Sequence, residues 1–113
     1  MLRENPRKKY KIKDLPEDER PREKLLKFGA DKLSDSELLA ILIRTGTKGK
    51  SAIEMAQEIL ENAGGSFRGL AGKDINEITK TPGIKNAKII TVSAALEIAR
   101  RVSKQILKEK GII

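Results

Sequence analysis

Apolar residues recur along most of this chain at intervals of three and four, the spacing of one helix face. Leu25, Leu26 and Phe28 form the first short group. Pro21 stands at its head, where a missing N–H leaves no acceptor unpaired, and Gly29 follows as a natural stop. Ser34 and Glu37 then match a capping box, in which each side chain bonds the other's free backbone N–H. Leu38, Leu39, Ile41, Leu42 and Ile43 come next, so this second helix is apolar most of the way round and belongs at the centre. Thr45-Gly46-Thr47-Lys48-Gly49-Lys50 breaks it. A third helix is expected over about residues 51–62, with Ile53, Ala56, Ile59 and Leu60 on one face and Gly64-Gly65 as its end. The layout then repeats. Asp74 and Glu77 make another cap pattern around Ile75 and Ile78, and Thr81-Pro82-Gly83-Ile84-Lys85 interrupts it. A long last helix starts near Asn86, carries the stripe Ile89, Val92, Leu96, Ala99, Val102 and Ile106, and frays over residues 108–111. Superposing Gly46 on Gly83 pairs Leu38 with Ile75 and Ile41 with Ile78, which reads as two helix–turn–helix hairpins in tandem.

Composition strengthens the helical reading. The aromatic residues are Tyr10, Phe28 and Phe67 alone, so a core must be aliphatic, which suits helices better than a sheet. The expected fold is all-α, a compact bundle of about five helices. Its 113 residues suit one domain. Residues 1–20 carry Arg3, Arg7, Lys8, Lys9, Lys11 and Lys13 between prolines and read as a basic flexible arm, ahead of a helical domain over residues 21–110. The longest apolar run spans residues 38–43. A membrane span needs about 20 such residues. The charged N-terminus lacks the apolar stretch of a signal peptide, and the expected location is the cytoplasm.

Candidate chemistry narrows the function. Neither cysteine nor histidine occurs, so thiol chemistry, the commonest general base and the commonest metal ligand are missing. Ser34, Ser51 and Ser66 have no histidine to activate them, and Asp18 and Glu19 sit in the charged arm. The residues point to binding rather than catalysis, with no cofactor and no metal. The formal charge of +8 favours a polyanion, nucleic acid first and anionic membrane second. A soluble surface rich in Lys and Glu accounts for the charge as well.

Two turns carry the binding chemistry. In the first, Pro82 ends a helix, Gly83 lets a ligand approach the backbone, and Ile84 anchors the turn. The next helix then begins with amides that lack intrahelical acceptors, at the positive end of its dipole. A phosphate fits there, with Lys85, Asn86 and Lys88 beside it. The alternative is a turn that only packs helices. The second candidate is Gly46-Thr47-Lys48-Gly49-Lys50-Ser51, two glycines, two lysines and a serine at a helix start. It is not a nucleotide-binding P-loop, which needs four residues between its glycines and follows a strand. A flexible polar loop is its plain alternative. Arg100, Arg101, Lys104, Lys108 and Lys110 lie on the last helix as a solvated face or a further phosphate track. Nothing offers stacking platforms for bases. The leading expectation is therefore sequence-independent contact with DNA backbone.

The Pro82-Gly83-Ile84 turn, with small Ala87 behind it, resembles the helix-hairpin-helix family, whose hairpins read Pro-Gly-hydrophobic-Gly and bind DNA phosphates through their amides. Lys85 stands where that family usually has a second glycine. A broader resemblance rests on Arg20-Pro21-Arg22-Glu23-Lys24-Leu25, Gly29-Ala30, the run from Leu33-Ser34-Asp35-Ser36-Glu37 through Ile43-Arg44-Thr45-Gly46, and Ala94-Ala95-Leu96-Glu97-Ile98-Ala99-Arg100-Arg101. Together these are similar to the N-terminal region of bacterial RadC-like proteins, over roughly residues 9–105. The resemblance implies a DNA-repair context and a following JAB/MPN-type domain with a zinc-site motif, whose histidines this sequence does not contain. Lys85 in place of the second glycine and the large apolar girth of the Leu38–Ile43 helix motivate the second expectation, a protein-interaction or regulatory domain for that JAB/MPN domain.

Overall fold

The computed structural model describes residues 20–46, 49–78 and 86–113. The N-terminal arm, Thr47, Lys48 and the whole Gly83 turn lie outside the described residues. Within them the chain is helical, with six α-helices and no strand.

Each helix begins and ends where local chemistry dictates. Helix α1 (Pro21–Phe28) starts on its proline and stops at Gly29, whose φ of +93° and N–H bond to the Leu25 carbonyl (2.8 Å) turn the chain away. A single 3₁₀ turn, Ala30–Lys32, leads to α2 (Asp35–Ile43). The expected capping box is formed at its start. The Glu37 N–H donates to Ser34 Oγ at 3.1 Å, and the Ser34 N–H donates to Glu37 Oε1 at 2.9 Å. Helix α3 (Ala52–Asn62) has the same device in Ser51 and Glu54. Gly64 and Gly65 end it in left-handed conformations, with the Gly65 N–H reaching back to the Leu60 carbonyl at 2.7 Å. Helix α5 (Ile75–Ile78) opens on the reciprocal Asp74–Glu77 pair, and α6 (Asn86–Glu109) is the longest.

One helix is additional to the five expected. Helix α4 (Phe67–Ala71) is capped by Ser66, whose Oγ accepts the Gly69 N–H at 3.1 Å. Glycine at 69 disfavours a helix intrinsically. It is required by packing, because a Cβ there would stand 1.9 Å from the Ala63 carbonyl oxygen.

The core forms where α2 and α3 pack together and α4, α5 and the first half of α6 close over them. Leu39, Ile43, Met55, Ile59, Leu70 and Val92 are fully buried. Burying a side chain of this kind contributes about 1.5–3 kcal/mol. Helix α1 joins through an ion pair, Lys24 Nζ to Glu37 Oε2 at 3.0 Å. The apolar stripe of α6 reads as one continuous face, but the structure divides it. Ile89, Val92 and Leu96 are buried, whereas Ala99 is exposed, Val102 is 49% exposed and Ile106 is 44% exposed. The body of the domain stops beneath Leu96, and the helix continues past it. No helix among the described residues is long and apolar enough to cross a membrane.

Candidate nucleic-acid interface

The turn after α2 begins with a strained residue. The Arg44 N–H closes the helix on the Ala40 carbonyl at 2.9 Å, and the chain then reverses within three residues. The Thr45 N–H donates to the Ile43 carbonyl at 2.9 Å, with Arg44 between them at φ +73° and ψ −54°. This is the positive-φ form of the γ-turn, a rare conformation that repels a Cβ. Among the described residues Arg44 is the sole non-glycine residue with positive φ. Its side chain is exposed and stands beside Gly46 in sequence.

Gly46 serves a geometric need of its own. A Cβ there would lie 1.9 Å from the Lys50 carbonyl oxygen, so the turn closes on itself only around a glycine. Gly49 supplies a φ of +86° on the exposed side of the turn. The Gly46 carbonyl accepts a bond from Lys88 Nζ at 3.3 Å. Lys88 lies in the first turn of α6, 42 positions along the chain. This contact brings the first hairpin's turn against the helix that completes the second hairpin.

The sequence-predicted residues divide accordingly. Gly46, Gly49, Lys50, Ser51 and Lys88 belong to the described structure, as does the backbone of Asn86 at the head of α6. Thr47, Lys48, Gly83, Ile84 and Lys85 lie outside it. Besides Lys88 on the Gly46 carbonyl, two of the described residues have structural partners already. The Ser51 hydroxyl caps α3 by accepting the Glu54 N–H at 3.1 Å, and the Glu54 carboxylate takes the Ser51 N–H at 3.0 Å. Lys50 forms an ion pair with Glu58. The start of α3 thus carries its own carboxylate at the positive end of the dipole, where an incoming phosphate would otherwise sit. The Ala52 and Ile53 amides, by helix geometry, still lack intrahelical acceptors.

Two cations of the last helix, Arg100 and Arg101, have partners of their own. Arg100 donates to the Ala71 carbonyl from Nη2 at 2.6 Å and to Glu97 from Nη1 at 3.1 Å. Arg101 also binds Glu97, at 3.0 Å. The two guanidiniums hold the Glu97 carboxyl below its ordinary pKa. Arg100 lies about 18 Å along the helix from Lys88, and Lys108 about 30 Å, at a rise of about 1.5 Å per residue. Arg44 was absent from the sequence-predicted set, because arginine gives no signal of positive φ. Among the described residues there is no cluster of three or more carboxylates suited to a metal ion.

Comparison with known proteins places the chain. The sequence model described as UPF0758 N-terminal matches residues 12–90. A UPF0758 protein of Trichlorobacter lovleyi is 51% identical over 92 residues, covering 80% of this chain and 40% of its own length. The Nitrosomonas eutropha relative is 47% identical over 102 residues, covering 90% of this chain and 45% of its own. The Geobacillus thermodenitrificans relative is 42% identical over 104 residues, covering 92% and 46%. The chain therefore spans a little under half the length of these relatives. No solved structure matches it.

Proposed function

This chain belongs to the UPF0758 family, whose N-terminal region it matches, and on that premise we propose that it grips DNA backbone without reading bases, where the first hairpin's turn meets the start of α6. The observation that carries this reading is the Lys88–Gly46 contact, which sets the first hairpin's turn against the start of α6, 42 positions along the chain. The amides in the first turn of α6 have no acceptor within the helix and stand at its positive end. Lys88 and exposed Arg44 add charge, and the overall +8 adds long-range attraction. The strain at Arg44 is a further support, since strained residues gather at functional turns. Glu54 and Glu58 counter part of this field and shift the weight from the Gly46 amides to Arg44 and Lys88.

Fluorescence anisotropy with labelled duplex and single-stranded DNA at several salt concentrations tests the proposal. The expected result is micromolar or tighter binding with little preference among sequences. Three phosphate contacts predict a log–log salt slope of about −2.7 on duplex. No binding at about 50 mM salt, where such contacts are strongest, overturns it.

A further inference from the structure

The second half of α6 poses a problem that DNA binding does not solve. Past Arg100, whose guanidinium binds the Ala71 carbonyl, residues 101–109 project beyond the body, and an isolated helix of that length is marginal in water. Yet its inner face continues the core stripe, through Ala99 and Ser103 to Leu107. Between this face and the body lies an open groove of about 980 Å³, floored by Leu42, Phe67 and Leu70. The charged residues that line it, Arg68, Arg100 and Lys104, are all cationic. Ile113 also lines it. Apolar surface of this extent at the base of a projecting helix marks an interaction site.

Three occupants can be weighed. Nucleic acid does not suit an apolar lining. A second copy would bring like charges together, since residues 97–110 hold Arg100, Arg101, Lys104, Lys108 and Lys110 against Glu97 and Glu109. The third occupant is the remainder of the family's own chain. The matched region covers 40–46% of the three relatives, so more than half of each lies elsewhere. The matched family region is the N-terminal one, so that remainder lies on the side toward which α6 runs. We propose that this groove is the docking seat for the C-terminal portion of UPF0758 proteins. That portion sets apolar side chains between Phe67 and Leu107 and carboxylates against Arg68 and Lys104. The proposal is independent of DNA binding.

Hydrogen exchange on two intact proteins tests it: this chain and the full-length Geobacillus thermodenitrificans relative. In this chain, amides of residues 99–109 should exchange at least tenfold faster than those of residues 89–96, because local protection follows packing. In the relative, the aligned segment should be protected at least tenfold more than here. Ala99 is exposed, so Ala99→Glu should leave this chain's melting temperature unchanged. The aligned substitution in the relative should abolish the extra protection. Equal exchange in the two proteins overturns the proposal. So does protection in the relative that survives the substitution, or that falls away on dilution, which would make a second copy the cover.

Discussion

Arg44 holds a backbone angle that its Cβ resists, and residues kept in such regions store about 1–3 kcal/mol. Glycine adopts the same angle without that penalty but has more unfolded-state entropy to lose. Arg44→Gly should therefore raise stability by about 0.5–1 kcal/mol while weakening DNA binding severalfold. Urea denaturation and anisotropy on one preparation check both halves. A destabilised variant would show that the angle is not strained, and unchanged DNA affinity would remove Arg44 from the proposed site. Ser93 offers a second case. Its hydroxyl is buried with no hydrogen-bond partner among the described residues. A buried polar group left unpaired costs about 1–3 kcal/mol, and alanine is also the better helix former. Ser93→Ala should stabilise the chain by about 1 kcal/mol, read as a higher urea midpoint. Neither residue was legible in the sequence. The angle at 44 and the partner lost at 93 both follow from how distant segments close, whereas Ser34 and Glu37 were legible because a cap involves neighbours only.

Helices were read well wherever a cap and a stripe agreed, as at Ser51 with Ile59 and Leu60. Helix α4 escaped because Gly69 and Gly72 argue against a helix and only Phe67 and Leu70 mark its apolar side. Packing overrides propensity there, and a substitution separates the two. Gly69→Ala would add about 1 kcal/mol by propensity alone, yet its Cβ meets the Ala63 carbonyl. The variant should melt lower than the parent in a thermal scan; a higher melting temperature would mean that α4 shifts freely. The α1–α2 link has a pH signature. Burial pushes the Glu37 pKa up, but the Ser34 N–H and the Lys24 ammonium outweigh it and hold it below the ordinary glutamate value. A carboxylate lowered on folding contributes stability that is fully present above its unfolded pKa, about 4.3. That contribution is lost as pH falls through the lower folded value. Glu37→Gln should therefore destabilise the chain near neutral pH and have a smaller effect at about pH 3. Equal effects in urea titrations at both pH values would show that the ion pair contributes nothing.

At the scale of the whole molecule, α6 connects two surfaces with different chemistry. Its first turn reaches Gly46 through Lys88, its middle fills the core through Val92, and its second half walls the apolar groove. The stripe in the sequence showed one face from Ile89 to Ile106. What it concealed was where the body beneath that face stops, which depends on how far α2 and α4 extend. Lys88 and Ala99 are eleven positions apart, about 16 Å along the helix. Effects at sites more than about 7–10 Å apart with no shared partner usually add. The charge introduced by Ala99→Glu also lies about two Debye lengths from Lys88 at 0.15 M salt. Ala99→Glu should therefore change DNA affinity by less than about twofold at that ionic strength, while Arg44→Gly leaves exchange in residues 99–109 unchanged. Anisotropy and hydrogen exchange on both variants, with the double variant as control, measure the separation. A fivefold loss of DNA affinity in Ala99→Glu would mean that the polyanion runs along α6 and over the groove, and one surface would then replace two.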